Sequence, residues 1–151
     1  MRFFHLKFRP WIYGLTVLIL FCQTGCSGNR SEKALESGNQ RYEDISAQEA
    51  EVLIQKNKED PHFISLDIRT PTEFESGHIE GAINIDYYAA SFSSDLDTLN
   101  KENAYLVYCR TGNRTGRTMP LMKRLRFKEV YHMSGGIVQW KQHGYPIVIS
   151  E

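Results

Sequence analysis

Beyond residue 41, short apolar runs alternate with segments in which apolar residues return every three or four positions. Between Ser46 and Lys56, Ala50, Leu53 and Ile54 recur at helical intervals, and Ser46 with Glu49 has capping-box spacing, which predicts the first helix. Phe63 to Ile68 is a compact apolar run bounded by Pro61 and by Thr70-Pro71, as suits a buried strand. Thr70, Pro71 and Glu73 then supply a cap, a first-turn proline and a second capping box, with Gly77 as terminator, so a helix of one or two turns follows. Ala82 to Ile85 predicts a short strand, and Ser91 to Leu99 a short helix of weak periodicity. Ala104 to Tyr108 is nearly all apolar, the expectation for a central strand covered on both faces. From Thr115 to Arg126, Met119, Met122 and Leu125 share a helical face, and Pro120 predicts a late start or a bend. Val130 to Met133 reads as another strand, and Gly135-Gly136 opens a short helix that carries Ile137 and Trp140 as far as Gly144. Strands alternating with helices imply an α/β fold: a parallel sheet with helices on both faces, and ligands beyond the carboxyl ends of the strands.

The first 41 residues follow a different pattern. Basic Arg2, Lys7 and Arg9 precede an apolar run from Trp11 to Phe21, and small residues follow at Thr24 to Ser27, the three-part layout of an export signal. About 11 apolar residues at roughly 1.5 Å each fall short of a hydrocarbon core of roughly 30 Å, so an uncleaved anchor is the weaker reading. Ser27 to Arg41 is polar and contains Gly and Ser, which predicts a tether. The expected organisation is a signal over 1–25, a polar tether over 26–41 and one domain over 42–151. A content of 41% hydrophobic and 24% charged residues is ordinary for a packed globular core and argues against disorder of the whole chain.

Charge narrows the function classes. The chain balances 18 basic against 18 acidic residues, but three of the bases lie in the signal, which leaves the remainder at −3. A mildly acidic domain lacks the basic footprint of nucleic-acid binding, so anion recognition has to be local. Of the three cysteines, Cys22 falls within the signal and Cys26 at its end, which leaves Cys109 without a disulfide partner in the folded region. A solitary cysteine is either buried and inert or kept for chemistry.

The neighbours of Cys109 favour chemistry. Cys109-Arg110-Thr111-Gly112-Asn113-Arg114 lies between an apolar strand and a helix, where a loop turns its N–H groups inward and the helix adds the positive end of its dipole. Arg110 and Arg114 add full charges, and no acid occurs between Glu102 and Glu129, so a lowered pKa is expected for Cys109. Thr111 and Asn113 are the loop positions placed to touch a substrate. His5, His62, His132 and His143 show no ligand spacing with one another or with Cys109, so no metal is expected. His78 reads as a loop histidine bonded to backbone, and Phe63, Met122 and Trp140 as core.

Three stretches together resemble the rhodanese family. They are Leu66-Asp67-Ile68-Arg69 with Glu73-Phe74 and Gly77 to Ala82, then the loop from Cys109 to Arg114, then Gly135-Gly136 with Trp140. The resemblance covers roughly Tyr42 to Glu151 and implies a three-layer fold around a sheet of about five parallel strands. It implies a sulfurtransferase without cofactor, in which Cys109 carries sulfur as a persulfide from an anionic donor such as thiosulfate to cyanide, a thiol or a partner protein. Arg110 and Arg114 would bind the donor's anionic end, and Asp67 and Arg69 would form a buried ion pair with Glu73 or neighbours, with a lesser role supporting the pocket. A persulfide carrier or sensor without turnover, or a binding module, is the alternative. Phosphatases and arsenate reductases of this fold are a further one, but they place five residues between cysteine and arginine, whereas four separate Cys109 from Arg114. Gln23-Thr24-Gly25-Cys26 resembles the lipobox of bacterial lipoproteins apart from Gln23, where an aliphatic residue is usual, which marks Cys26 as the lipidation candidate and implies a periplasmic or cell-envelope domain held at a membrane by lipid.

Overall fold

A computed structural model describes residues 40–149. The signal, its candidate Cys26 and nearly all of the tether lie outside the described residues. Five strands, β1 (Arg41–Ile45), β2 (Phe63–Asp67), β3 (Ile83–Asn84), β4 (Ala104–Tyr108) and β5 (Glu129–Met133), form one sheet in the order β1-β5-β4-β2-β3. All four pairings are parallel, as crossover connections through helices require. The helices are α1 (Ala47–Lys56), α2 (Pro71–Glu75), α3 (Phe92–Thr98), α4 (Asn113–Arg124) and α5 (Gly136–Gln142).

The sheet separates two cores. Leu106 and Tyr108 of β4 join Ala47 and Ala50 of α1 and Ile137 and Trp140 of α5 on one face. Tyr105, Val107 and Cys109 join Phe92 and Leu96 of α3 and Met122 of α4 on the other. β4 is therefore apolar at successive positions because both of its faces are covered. Trp140 and Met122 lie in these cores, and the Trp140 indole N–H donates to the Pro146 carbonyl at 2.9 Å, which closes the last turn over α5. Both capping boxes form: Ser46 and Thr70 each accept from the N–H three residues on, and Glu49 and Glu73 reach back.

Two elements depart from the sequence pattern. β1 has no predicted counterpart, because an edge strand that covers almost nothing carries no alternation: Arg41, Glu43 and Asp44 are exposed and Ile45 alone is buried. Arg41 belongs to the sheet in register with Glu129, rather than to the tether. α4 begins early instead of late, at Asn113, and runs through Pro120 to Arg124. The proline removes one N–H, the donor that would have reached Gly116 four residues back, and the helix continues on either side of it.

Candidate active site

Cys109 follows the last residue of β4, and Gly112 caps α4, so the intervening turn has only Arg110 and Thr111 to reverse direction. Gly112 adopts the left-handed region at φ 86°, and a Cβ there would lie 1.9 Å from the Ser134 carbonyl oxygen. Gly136, at φ 56°, allows α5 to close on the same turn, since its Cβ would lie 2.5 Å from the Cys109 carbonyl oxygen. At both positions any side chain is excluded by conformation and by space.

The first N–H groups of α5 hold the turn from outside. Ile137 N donates to the Cys109 carbonyl at 2.9 Å and Val138 N to the Arg110 carbonyl at 3.1 Å. In a trans peptide the C=O and N–H point in opposite directions, so tethering the Arg110 carbonyl turns the Thr111 N–H towards the sulfur. Burial pushes the Cys109 thiol up, but hydrogen bonds from the Thr115 hydroxyl and from the Thr115, Thr111 and Gly112 N–H groups outweigh it, and the net direction is down. The Thr115 hydroxyl is buried and has no other acceptor beside it, so the Cys109 sulfur is the group its proton can serve when the thiolate forms.

The lowering thus arises from donors fixed in the fold, more than from the loop arginines to which the sequence pattern assigned it. Thr115 carries no family-like spacing, but its place in the helix marks it. If Gly112 is the cap, Thr115 falls at the third helical position, whose N–H has no partner within the helix.

The Cys109 residue is only 1% exposed, but it forms the floor of a cleft of about 410 Å³. Arg110, Thr111, Asn113 and Arg114 line it, together with Tyr87, Tyr88, Glu73 and Arg117, none of which was singled out as part of a site. Arg114 is engaged: its two terminal nitrogens each donate at 2.7 Å to the two oxygens of Glu73. That fork, before the other contributions, holds the Glu73 carboxyl down at about 2 and raises Arg114 further. Among the described residues, no carboxylate pairs with Arg110 or Arg117.

Asp67 and Arg69 lie elsewhere. Arg69 donates to the Asp67 carboxylate at 2.9 and 2.6 Å and to the Gly77 carbonyl at 2.9 Å, and the pair is buried at 0% and 3% exposure. The guanidinium sits 5.9 Å from the ring of Tyr108, which packs into the core on the far face of the sheet from Cys109. Asp67 and Arg69 therefore fasten the turn after α2 and do not line the cleft. The expected buried ion pair forms between these two neighbours, and not with Glu73, which is committed to Arg114. His78 is a backbone-bonded loop histidine, 3.0 Å from the Phe74 carbonyl and stacked on the Phe74 ring.

Comparison with known proteins agrees with this architecture. A sulfurtransferase of Allochromatium vinosum is 28% identical over 103 residues, which are 68% of this chain and 94% of that protein. The probable adenylyltransferase/sulfurtransferase MoeZ of Mycobacterium tuberculosis is 30% identical over 84 residues, 56% of this chain but only 21% of that protein. Among solved structures, a rhodanese-related protein from Thermoplasma volcanium superposes with a TM-score of 0.60 at 28% identity, over 72% of this chain and all of that one. The rhodanese-like domain as a family matches residues 46–143. On the five-stranded parallel sheet, the layered helices and this match, the chain belongs to the rhodanese-like domain family.

Proposed function

We propose that the protein is a sulfurtransferase that moves sulfane sulfur from an anionic donor such as thiosulfate to a thiophilic acceptor through a persulfide on Cys109. The observation that carries the reading is a buried thiol ringed by N–H donors beneath a cleft whose rim holds two arginines, Arg110 and Arg117, without carboxylate partners. Relatives named sulfurtransferase support it at the level of the family.

In the first half-reaction the Cys109 thiolate attacks the outer sulfur of the donor. A new S–S bond forms, the donor's S–S bond breaks, and its electron pair leaves on sulfite. Thr111, Gly112 and Thr115 N–H groups then hold the terminal persulfide anion as they held the thiolate, and Arg110 stabilises the departing sulfite. In the second, an acceptor nucleophile attacks the terminal sulfur, the enzyme S–S bond breaks, and the thiolate returns without any outside oxidant or reductant.

The reading against phosphoryl or arsenate chemistry rests on the four-residue spacing and on Arg114, whose two terminal nitrogens are both engaged by Glu73. Thiosulfate:cyanide sulfurtransferase assay of the protein beside Cys109→Ala tests it, with thiocyanate formed only by the native thiol. Phosphate release from a phosphatase substrate without thiocyanate overturns it, and a stable one-sulfur adduct on Cys109 with negligible turnover identifies a carrier instead. The N-terminal signal, and a lipid on Cys26 holding the domain at the cell envelope, complete the proposal; equal fatty-acid labelling of the native chain and Cys26→Ser sinks the lipid.

A further inference from the structure

His132 on β5 reaches the back of the active turn. One ring nitrogen, Nε2, is 3.0 Å from the Gly112 carbonyl oxygen, and the other, Nδ1, is 2.9 Å from Asp44 Oδ1 on β1. Neither partner can donate: a carbonyl oxygen and a carboxylate oxygen only accept. A neutral imidazole carries one N–H and satisfies one of the two contacts; the imidazolium satisfies both. The ring is buried, whereas Asp44 has its side chain 79% exposed.

The Gly112 carbonyl also accepts the first helical bond of α4, from Gly116 N at 2.8 Å. Its peptide plane carries the Asn113 N–H on the opposite edge, and Asn113 is one of the residues that line the cleft. α5 secures the carbonyls of Cys109 and Arg110, and His132 secures that of Gly112, so the two together orient most of the turn's peptide planes.

We propose that His132 is a positioning residue for the Cys109 cradle, and that its doubly protonated form is the one that holds the turn. The inference rests on Cys109 being the reactive group of the proposed function, though not on sulfur being what it transfers. Asp44 sets what happens when the proton leaves. A carboxylate selects the tautomer with hydrogen on Nδ1, which turns the bare Nε2 lone pair against the Gly112 oxygen and loosens the turn. Of the other elements packed on the ring, α4 presents Gly116 and β4 presents Val107 in register, neither of them charged. Among the described residues, Asp44 is the charged group bonded to it.

The test is the pH profile of Cys109 alkylation by iodoacetamide, run beside ¹⁵N NMR of the His132 ring, on the native chain and on Asp44→Asn. Asparagine can donate to Nδ1, so it selects the neutral tautomer with hydrogen on Nε2 and preserves the bond to Gly112. The native profile is expected to show two ionisations, one coincident with the ring titration. Above that step the rate falls short of a single-thiol curve by about three- to tenfold, the scale of one lost hydrogen bond. Asp44→Asn is expected to show one ionisation, with the ring still titrating. A single ionisation in the native protein, two in Asp44→Asn, or a native neutral ring protonated on Nε2 each overturns the proposal. Alkylation needs no sulfur donor, so these outcomes stand apart from success or failure of the sulfurtransferase assay.

Discussion

Two charged clusters sit at the carboxyl ends of neighbouring strands and behave in opposite ways. At the end of β2, Asp67 and Arg69 neutralise each other in a closed, dry site on the α1–α5 face. At the end of β4, Cys109 faces the α3–α4 side beneath an open cleft, with more hydrogen-bond donors around it than acceptors. Asp67 pairs in register with Tyr108, so the two clusters are one residue apart along the sheet and separated chiefly by which face they meet. A buried pair with its valences satisfied serves the fold; a buried anion held by donors that outnumber it is poised to react.

Four substitutions probe that contrast, in order of expected effect. Cys109→Ala removes the nucleophile and should lower sulfur transfer by more than about 10³-fold, with circular dichroism unchanged. Arg69→Met leaves Asp67 as an unpaired buried carboxylate and should destabilise by about 3–5 kcal/mol in urea unfolding, while alkylation of Cys109 in the remaining folded protein stays native. If Arg69→Met instead abolishes thiol reactivity in well-folded protein, the two clusters are one site and the comparison fails.

Thr115→Val keeps the shape and removes the hydroxyl, so the Cys109 alkylation curve should move to higher pH by roughly one unit, corresponding to about 1–1.5 kcal/mol of lost hydrogen bonding. An unmoved curve would assign the low thiol to backbone alone. Glu73→Gln acts through stability. Its carboxyl falls from the ordinary 4.5 to about 2 in the fold, so its contribution is full above about pH 4.5 and is lost as pH falls towards 2. The native chain should lose about 1 kcal/mol more than Glu73→Gln across that window, after screening of a partly exposed pair.

How much of this was legible along the chain depends on whether the signal was local. The helix starts at Ser46 and Thr70 were readable because a capping box lies within four residues, and β4 was readable because its burial on both faces leaves an uninterrupted apolar run. β1 was not, since an edge strand is stabilised by the backbone of β5 and needs no apolar face of its own. The start of α4 was misplaced for a related reason: Asn113 and Arg114 have no helical pattern, and what begins the helix there is Gly112 turning left-handed against Ser134.

The sequence by itself determined the alternation of strands and helices and the position of Cys109 at a strand end, because each follows from residues within a few positions of one another. Tertiary structure alone decided what those residues do. It sent Arg69 to Asp67 and Arg114 to Glu73, brought Ile137, Val138 and His132 onto the carbonyls of the turn, and put the Thr115 hydroxyl within reach of the sulfur. A pattern of residue types specifies which hydrogen bonds a side chain is able to make, and only the packing of distant strands and helices specifies which partner is there to make them.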